Sequence, residues 1–179
     1  MKKLLLLSIA LLAFNACDDD NDPAPVDPVD PVDPVSETIN VTGMLQGTHS
    51  WTSNNIYVLN QKVVVDAGAT LNIEAGTIIK GSAGQGSLAS ALVVARGGMI
   101  NAVGTADAPI IFTSVSDNIE VGQTAGTNLG AADQGLWGGI LVLGNAPSSF
   151  SGDVSELQIE GIPADDTFGL YGGSNAGDN

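Results

Sequence analysis

From Thr38 onward the apolar residues come in runs of three to five, bounded by Gly, Asn, Asp and Ala, and no stretch sustains a 3.6-residue period. That texture predicts short strands and an all-β domain. Strands are expected at Ile39–Val41, Ile56–Leu59, Lys62–Val65, Thr70–Ile73, Thr77–Lys80, Ala91–Ala95, Met99–Val103, Ile110–Ser114, Ile140–Leu143 and Glu156–Glu160.

The runs recur in a fixed order. Val63-Val64-Val65, the turn Asp66-Ala67-Gly68, the strand Thr70-Leu71-Asn72-Ile73 and then Gly76-Thr77-Ile78-Ile79 reappear as Leu92-Val93-Val94, Arg96-Gly97-Gly98, Met99-Ile100-Asn101-Ala102, Gly104-Thr105 and Ile110-Ile111-Phe112. The offset is 29 residues from Val63 to Leu92 and 32 from Ile78 to Ile110, the difference being absorbed by Ala106-Asp107-Ala108-Pro109. A third partial copy, Leu141-Val142-Leu143-Gly144-Asn145, follows an insert from Ser116 to Leu136. Repeats of this length are units that cannot bury their apolar residues alone, and stacking them does so. A parallel β-helix follows, with Val, Ile and Leu pointing inward, backbone hydrogen bonds between coils, and Gly68, Gly76, Gly97 and Gly104 at the corners. A sandwich or jelly roll is the alternative, but its two-residue hairpins favour Asn-Gly or Asp-Gly, and the chain contains neither.

The phrases VVVDAGATLNIEAGTIIKG, ALVVARGGMINAVGTADAPIIFTS and GLWGGILVLGNAP carry a resemblance. Over roughly Ile56 to Asn179 the chain resembles a family of right-handed β-helix lipoproteins and secreted surface proteins of Bacteroidota. The resemblance specifies architecture well and activity poorly, and it implies further coils beyond Asn179.

Ahead of the repeats lie two segments of different character. Residues 1–16 read as a lipoprotein signal peptide: a basic Met1-Lys2-Lys3, an apolar run from Leu4 to Ala13 too short for a permanent span, and Ala16 before Cys17. Phe14 and Asn15 stand where such signals usually carry Leu and a small residue. Cys17 is then the lipidated residue, its acyl chains, palmitate among them, anchoring the protein to the membrane. The Asp18-Asp19-Asp20-Asn21-Asp22 run resembles the signal that sends such lipoproteins to the outer face of the outer membrane. Residues 17–37 form an acidic linker in which a Val-Asp-Pro repeat keeps the backbone extended at about 3.1 Å per residue. The β-helix domain is expected over residues 38–179.

After cleavage the chain keeps Lys62, Lys80 and Arg96 against twenty carboxylates, a formal charge of −17. Nucleic acid is excluded as a partner, since a phosphate polyanion binds through clustered cations. With Cys17 acylated no disulfide can form within the chain. A histidine-dependent triad would rest on His49 alone, a zinc site on one histidine, and Gly84-Gln85-Gly86-Ser87-Leu88-Ala89 fits a dinucleotide loop without the helix that should follow it. No cofactor is expected. Calcium is the one cation kept, with Asp117, Glu120, Asp165 and Asp166 as its candidate oxygen ligands.

Carbohydrate is the ligand class this architecture invites. Trp51, Trp137 and Tyr171 are candidates for stacking on sugar rings, and Arg96 is a candidate ligand contact and the sole candidate base for lyase chemistry. Trp137 has a competing use, covering an open coil end. The expectation is an adhesin-like surface lipoprotein that binds an extracellular glycan or a cell-surface protein. The alternatives are a polysaccharide lyase or hydrolase and a structural or accessory subunit of an outer-membrane assembly. Enzymatic activity is not the favoured reading.

Overall fold

The computed structural model describes residues 35–152 and 154–177, all within the unit that runs from Pro34 to Asn179. The signal peptide, Cys17 and nearly all of the acidic linker lie outside the described residues. The strands are β1 (Thr38–Leu45), β2 (Thr48–Trp51), β3 (Ile56–Val65), β4 (Thr70–Ile73), β5 (Ile78–Gly81), β6 (Ala91–Val94), β7 (Met99–Ala102), β8 (Ile111–Ser114), β9 (Ile140–Val142), β10 (Glu156–Gln158) and β11 (Leu170–Gly172). No α-helix occurs among the described residues.

The pairings define a parallel β-helix with three faces. On the first face, Thr38–Val41 of β1, Ile56–Leu59 of β3, β5 and β8 stack in parallel. The second face stacks Gly43–Leu45 of β1, Lys62–Val65 of β3, β6 and β9. On the third face, β2, β4 and β7 stack in the same sense. β3 serves two faces because it turns a corner within its length, at Gln61, whose φ of 62° is the only positive value among described non-glycine residues. Beside that corner the Asn60 amide donates to Asn40 Oδ1 at 2.9 Å and accepts from Ser82 Oγ at 2.7 Å, so successive coils also hold each other through side chains.

Alternation along each strand decides what faces inward. Tyr57, Leu59, Val63, Val65, Leu71, Ile73, Ile79, Leu92 and Val94 form one buried cluster, the interior of the helix. The expected 29-residue register holds: Val63 pairs with Leu92, Val64 with Val93 and Thr70 with Met99. One register differs by a residue, since Ile78 pairs with Ile111 and not Ile110. A one-residue shift exchanges the two sides of a strand. Ile111 thus continues the outward row of Ile78, while Ile110 and Phe112 pack against the interior.

Three other expectations are corrected. β2 is a strand that the sequence reading does not predict: Thr48 and Ser50 point outward to solvent, and the inward pair is His49 and Trp51. Gly104 does not adopt the left-handed conformation found at Gly68, Gly76 and Gly97; a Cβ there would lie 2.9 Å from the Ile110 nitrogen, so its role is close approach. Finally, Glu156–Gln158 is no coil strand. It pairs antiparallel with β11, and the ribbon they form lies outside the helix. Its companions Ile159, Ile162, Phe168 and Tyr171 pack on a second cluster of Val64, Ala91, Val93, Ala95 and Leu143, the outward side of the second face.

Inside the helix, Gly81 leaves the space that Trp137 fills. A Cβ at Gly81 would fall 2.6 Å from Trp137 Cδ2 and 2.8 Å from Ser90 Oγ. The indole packs against the interior cluster, and a rigid ring between coils has no room to yield. Gly81→Ala is expected to destabilise the domain by about 1–3 kcal/mol, read as a lower urea midpoint with an altered tryptophan emission; an unchanged midpoint would refute the packing of Trp137 on Gly81.

Candidate functional site

Each face of the helix has an outward side, and the chain treats the three differently. On the first face the outward Lys80 is buried, and its ammonium donates to Asp117 O at 2.8 Å and to Ile119 O at 2.7 Å. The Asp117 carboxylate organises the same loop, accepting from Thr113 Oγ1 at 2.8 Å and from the Ile119 N–H at 2.9 Å. The insert after β8 is thereby drawn over this face. The second face is covered by the β10–β11 ribbon and the segment between its strands.

The third face stays open. Its outward positions form two rows running from coil to coil: Thr48, Thr70 and Met99, and Ser50, Asn72 and Asn101. Thr48, Ser50, Met99 and Asn101 are exposed; Thr70 and Asn72, on the middle strand, are half-buried. The Asn101 amide donates to Asn72 Oδ1 at 2.8 Å, and Asn72 Nδ2 reaches His49 O at 3.4 Å. Neighbouring strands lie about 4.8 Å apart, so the side chains of each row repeat at that interval, hydroxyls and amides at every position but Met99, with no charged side chain in either row.

A cleft of about 330 Å³ opens at the edge of the ribbon. Lys62, Ala91 and Leu141 of the second face form one wall, and Glu160, Gly161, Ile162, Pro163 and Asp166 the other. Lys62 is ion-paired with Asp166, and its Nζ stands 5.9 Å from the centre of the Phe168 ring. Loss of water around the ammonium holds the Lys62 pKa below the ordinary lysine value.

Residues 43–179 match the model of the pectate-lyase-like β-helix domain. The chain belongs to that family. No curated protein and no solved structure matches it. Membership of the pectate-lyase-like β-helix family fits a carbohydrate-related surface protein.

The stacking residues expected from the sequence are not brought together. Trp51, only 5% exposed, is stacked on Tyr57 in the interior, ring centres 4.8 Å apart and planes at 15°. Its large apolar area is spent on burial, so no ring face is free for a sugar. Trp137 packs against the interior cluster over Gly81. Tyr171, in the ribbon strand β11, meets Phe150 edge-on at 5.5 Å and packs on the cluster of Val64, Ala91, Val93, Ala95 and Leu143.

Arg96 is likewise engaged. Its Nη1 donates to Glu156 Oε2 at 2.5 Å and to Gly172 O at 2.8 Å, tying the ribbon to the second face. The three cations of the described residues therefore share one kind of use: Lys62, Lys80 and Arg96 each pin a later segment onto the coils.

The four candidate calcium ligands fall in separate places. Asp117 is engaged with Thr113 and Ile119, the Glu120 side chain is exposed in the same insert, Asp165 is exposed in the ribbon segment, and Asp166 pairs with Lys62 while accepting from the Phe168 N–H at 3.1 Å. Among the described residues no three acidic, histidine or cysteine side chains converge as a cation would need. His49 lies on β2 with Nε2 3.0 Å from Gln46 O, and Gly86–Leu88 forms a single 3₁₀ turn rather than the start of a nucleotide-binding helix.

The open face was missed as a site, although its signal was present. Thr70-Leu71-Asn72-Ile73 alternates polar and apolar residues, the mark of a strand with one wet side, whereas Val63-Val64-Val65 and Leu92-Val93-Val94 are apolar throughout, the mark of strands covered on both sides.

Proposed function

We propose that this protein is a surface-displayed lipoprotein, held to the outer membrane through Cys17 and lifted from it by the Val-Asp-Pro linker, whose β-helix binds an extracellular glycan along its third face. The observation that carries the reading is the pair of rows on the uncovered third face, hydroxyls and amides at every position but Met99. Hydroxyls and amides both donate and accept hydrogen bonds, and so do sugar hydroxyls. A rigid sheet presents them without an ordering cost on the protein side. Charge narrows the class: a chain at −17 repels polyuronates, so the glycan is uncharged.

Binding is favoured over cleavage because the candidate base for lyase chemistry, Arg96, is tied to Glu156 and Gly172. A glycan array and a depolymerisation screen with the mature chain test both readings. Retention on neutral glycans without release of oligosaccharides is expected; released fragments would move the assignment to an enzyme. Asn72→Ala combined with Asn101→Ala removes two amides, each worth about 1 kcal/mol in hydrogen bonding, and is expected to weaken retention by about tenfold or more. Unaltered retention in that double variant would exclude the third face. Cys17→Ala is expected to shift the protein from the membrane fraction to the soluble one, and continued membrane retention would refute the anchor.

A further inference from the structure

Lys62 and Asp166 are an unusual pair for a surface. Lys62 leaves the corner of β3 on the outward side of the second face, next to the apolar cluster of Val64, Ala91 and Val93. Asp166 comes from the ribbon, and Ile162 and Phe168, close to it in sequence, pack on that same cluster. The two side chains are in direct contact, and each is about three-quarters covered, at 25% and 23% exposure. The Phe168 ring and aliphatic groups cover one side of the pair, and the cleft bounds the other. Such surroundings bring the neutral pair, amine and carboxylic acid, closer in energy to the ion pair.

The carboxyl group is also oriented. Its Oδ1 accepts the Phe168 N–H at 3.1 Å, leaving Oδ2 toward the lysine. Glu160 stands on the wall of the same cleft. We propose that Lys62 and Asp166 join in an isopeptide bond that fastens the ribbon covalently to the β-helix.

The ammonium proton passes to Oδ2, giving a free amine and a carboxylic acid. Lys62 Nζ attacks Asp166 Cγ, and the negative charge develops on Oδ1 against the Phe168 N–H. The second amine proton is carried by Glu160 to the departing Oδ2 hydroxyl. The Nζ–Cγ bond forms, the Cγ–Oδ2 bond breaks, and one water leaves through the cleft; no oxidant or other reactant is needed. Holding the partners in contact supplies the effective concentration that a condensation in water otherwise lacks. The bond is independent of the glycan reading. Its consequence is mechanical, since a ribbon held by ion pairs would peel from the helix under load and an amide would not.

Peptide mapping of the full chain by mass spectrometry tests the proposal. The expected product is a branched peptide containing Lys62 and Asp166, one water lighter than its two linear parts together. Lys62→Arg keeps the ion pair but removes the amine, and is expected to give only linear peptides. Glu160→Gln is expected to lower the branched fraction after a fixed incubation. Both variants are first matched to the wild type in circular dichroism and protease resistance, so that absence of the branch is not a folding failure. Linear peptides alone from the wild-type chain overturn the proposal. A water loss that persists in Lys62→Arg also overturns it, placing the dehydration within a single segment. An undiminished branched fraction in Glu160→Gln removes Glu160 from the scheme.

Discussion

Leu71→Ala is expected to destabilise the entire folded domain by about 2–5 kcal/mol, the range for removing most of a leucine from a packed interior. Leu71 is fully buried on the middle strand of the third face, between His49 below and Ile100 above in the inward row. In a solenoid each coil contacts chiefly its neighbours, so a cavity in the middle coil weakens both of its junctions. Rigid strands cannot close over the void, because their backbones are held by ladders on either side. Urea unfolding followed by circular dichroism measures it. A loss below about 1 kcal/mol, less than such truncations cost, would contradict the continuous interior.

Val93→Asp is expected to act differently, releasing the ribbon while the coils persist. Val93 is fully buried, yet it faces outward from the second face and is covered by the segment that carries Ile159, Ile162, Phe168 and Tyr171. A carboxylate confined there without a partner would cost several kcal/mol. Undocking the cover re-exposes a handful of partly buried apolar side chains, at about 1.5–3 kcal/mol for each one that had been fully buried, and restores water to the charge. The variant is built on Lys62→Arg, so that no covalent tie holds the ribbon; the remaining ion pairs resist release without preventing it, since ion pairs near a surface contribute little. Limited proteolysis should cut between Gly144 and Gly172 while the segment from Thr38 to Ser114 stays protected. Val63→Asp, on the inward side of the same face, should unfold the whole domain instead. If the two variants unfold alike, the separation into an interior and an external cover is wrong.

The contrast between those two valines marks the boundary of what the primary sequence conveys. Val63 and Val64 are chemically identical neighbours, and the repeat placed both correctly over Leu92 and Val93. Stacking was legible because it depends on local periodicity and on a constant offset. The β2 strand escaped notice since it is only four residues long and three of them, Thr48, His49 and Ser50, are polar, so no apolar run marks it. The segment Glu156–Gln158 looked like one more coil strand because its composition is strand-like; only the apolar outward side of the second face, assembled from residues of three coils, decides that the segment folds back as a cover.

The candidate site follows the same division. Aromatic and charged residues drew attention in the sequence, yet Trp51 is buried, Trp137 fills the space left by Gly81, and Arg96 is tied to Glu156. A large ring or a rare cation in a small, aromatic-poor domain serves packing and fastening first. The modest Thr, Ser and Asn residues of the third face gain meaning only when copies from successive coils are brought side by side.

By itself the sequence determined most of the coil strands, the coil period and the formal charge, because each of these depends on near neighbours or on totals. Tertiary structure alone decided which outward faces are covered and which is open, and which carboxylate or main-chain oxygen meets each cation. Those outcomes depend on where distant segments return to the coils, and a return path is set by the apolar surface that stacking has first created.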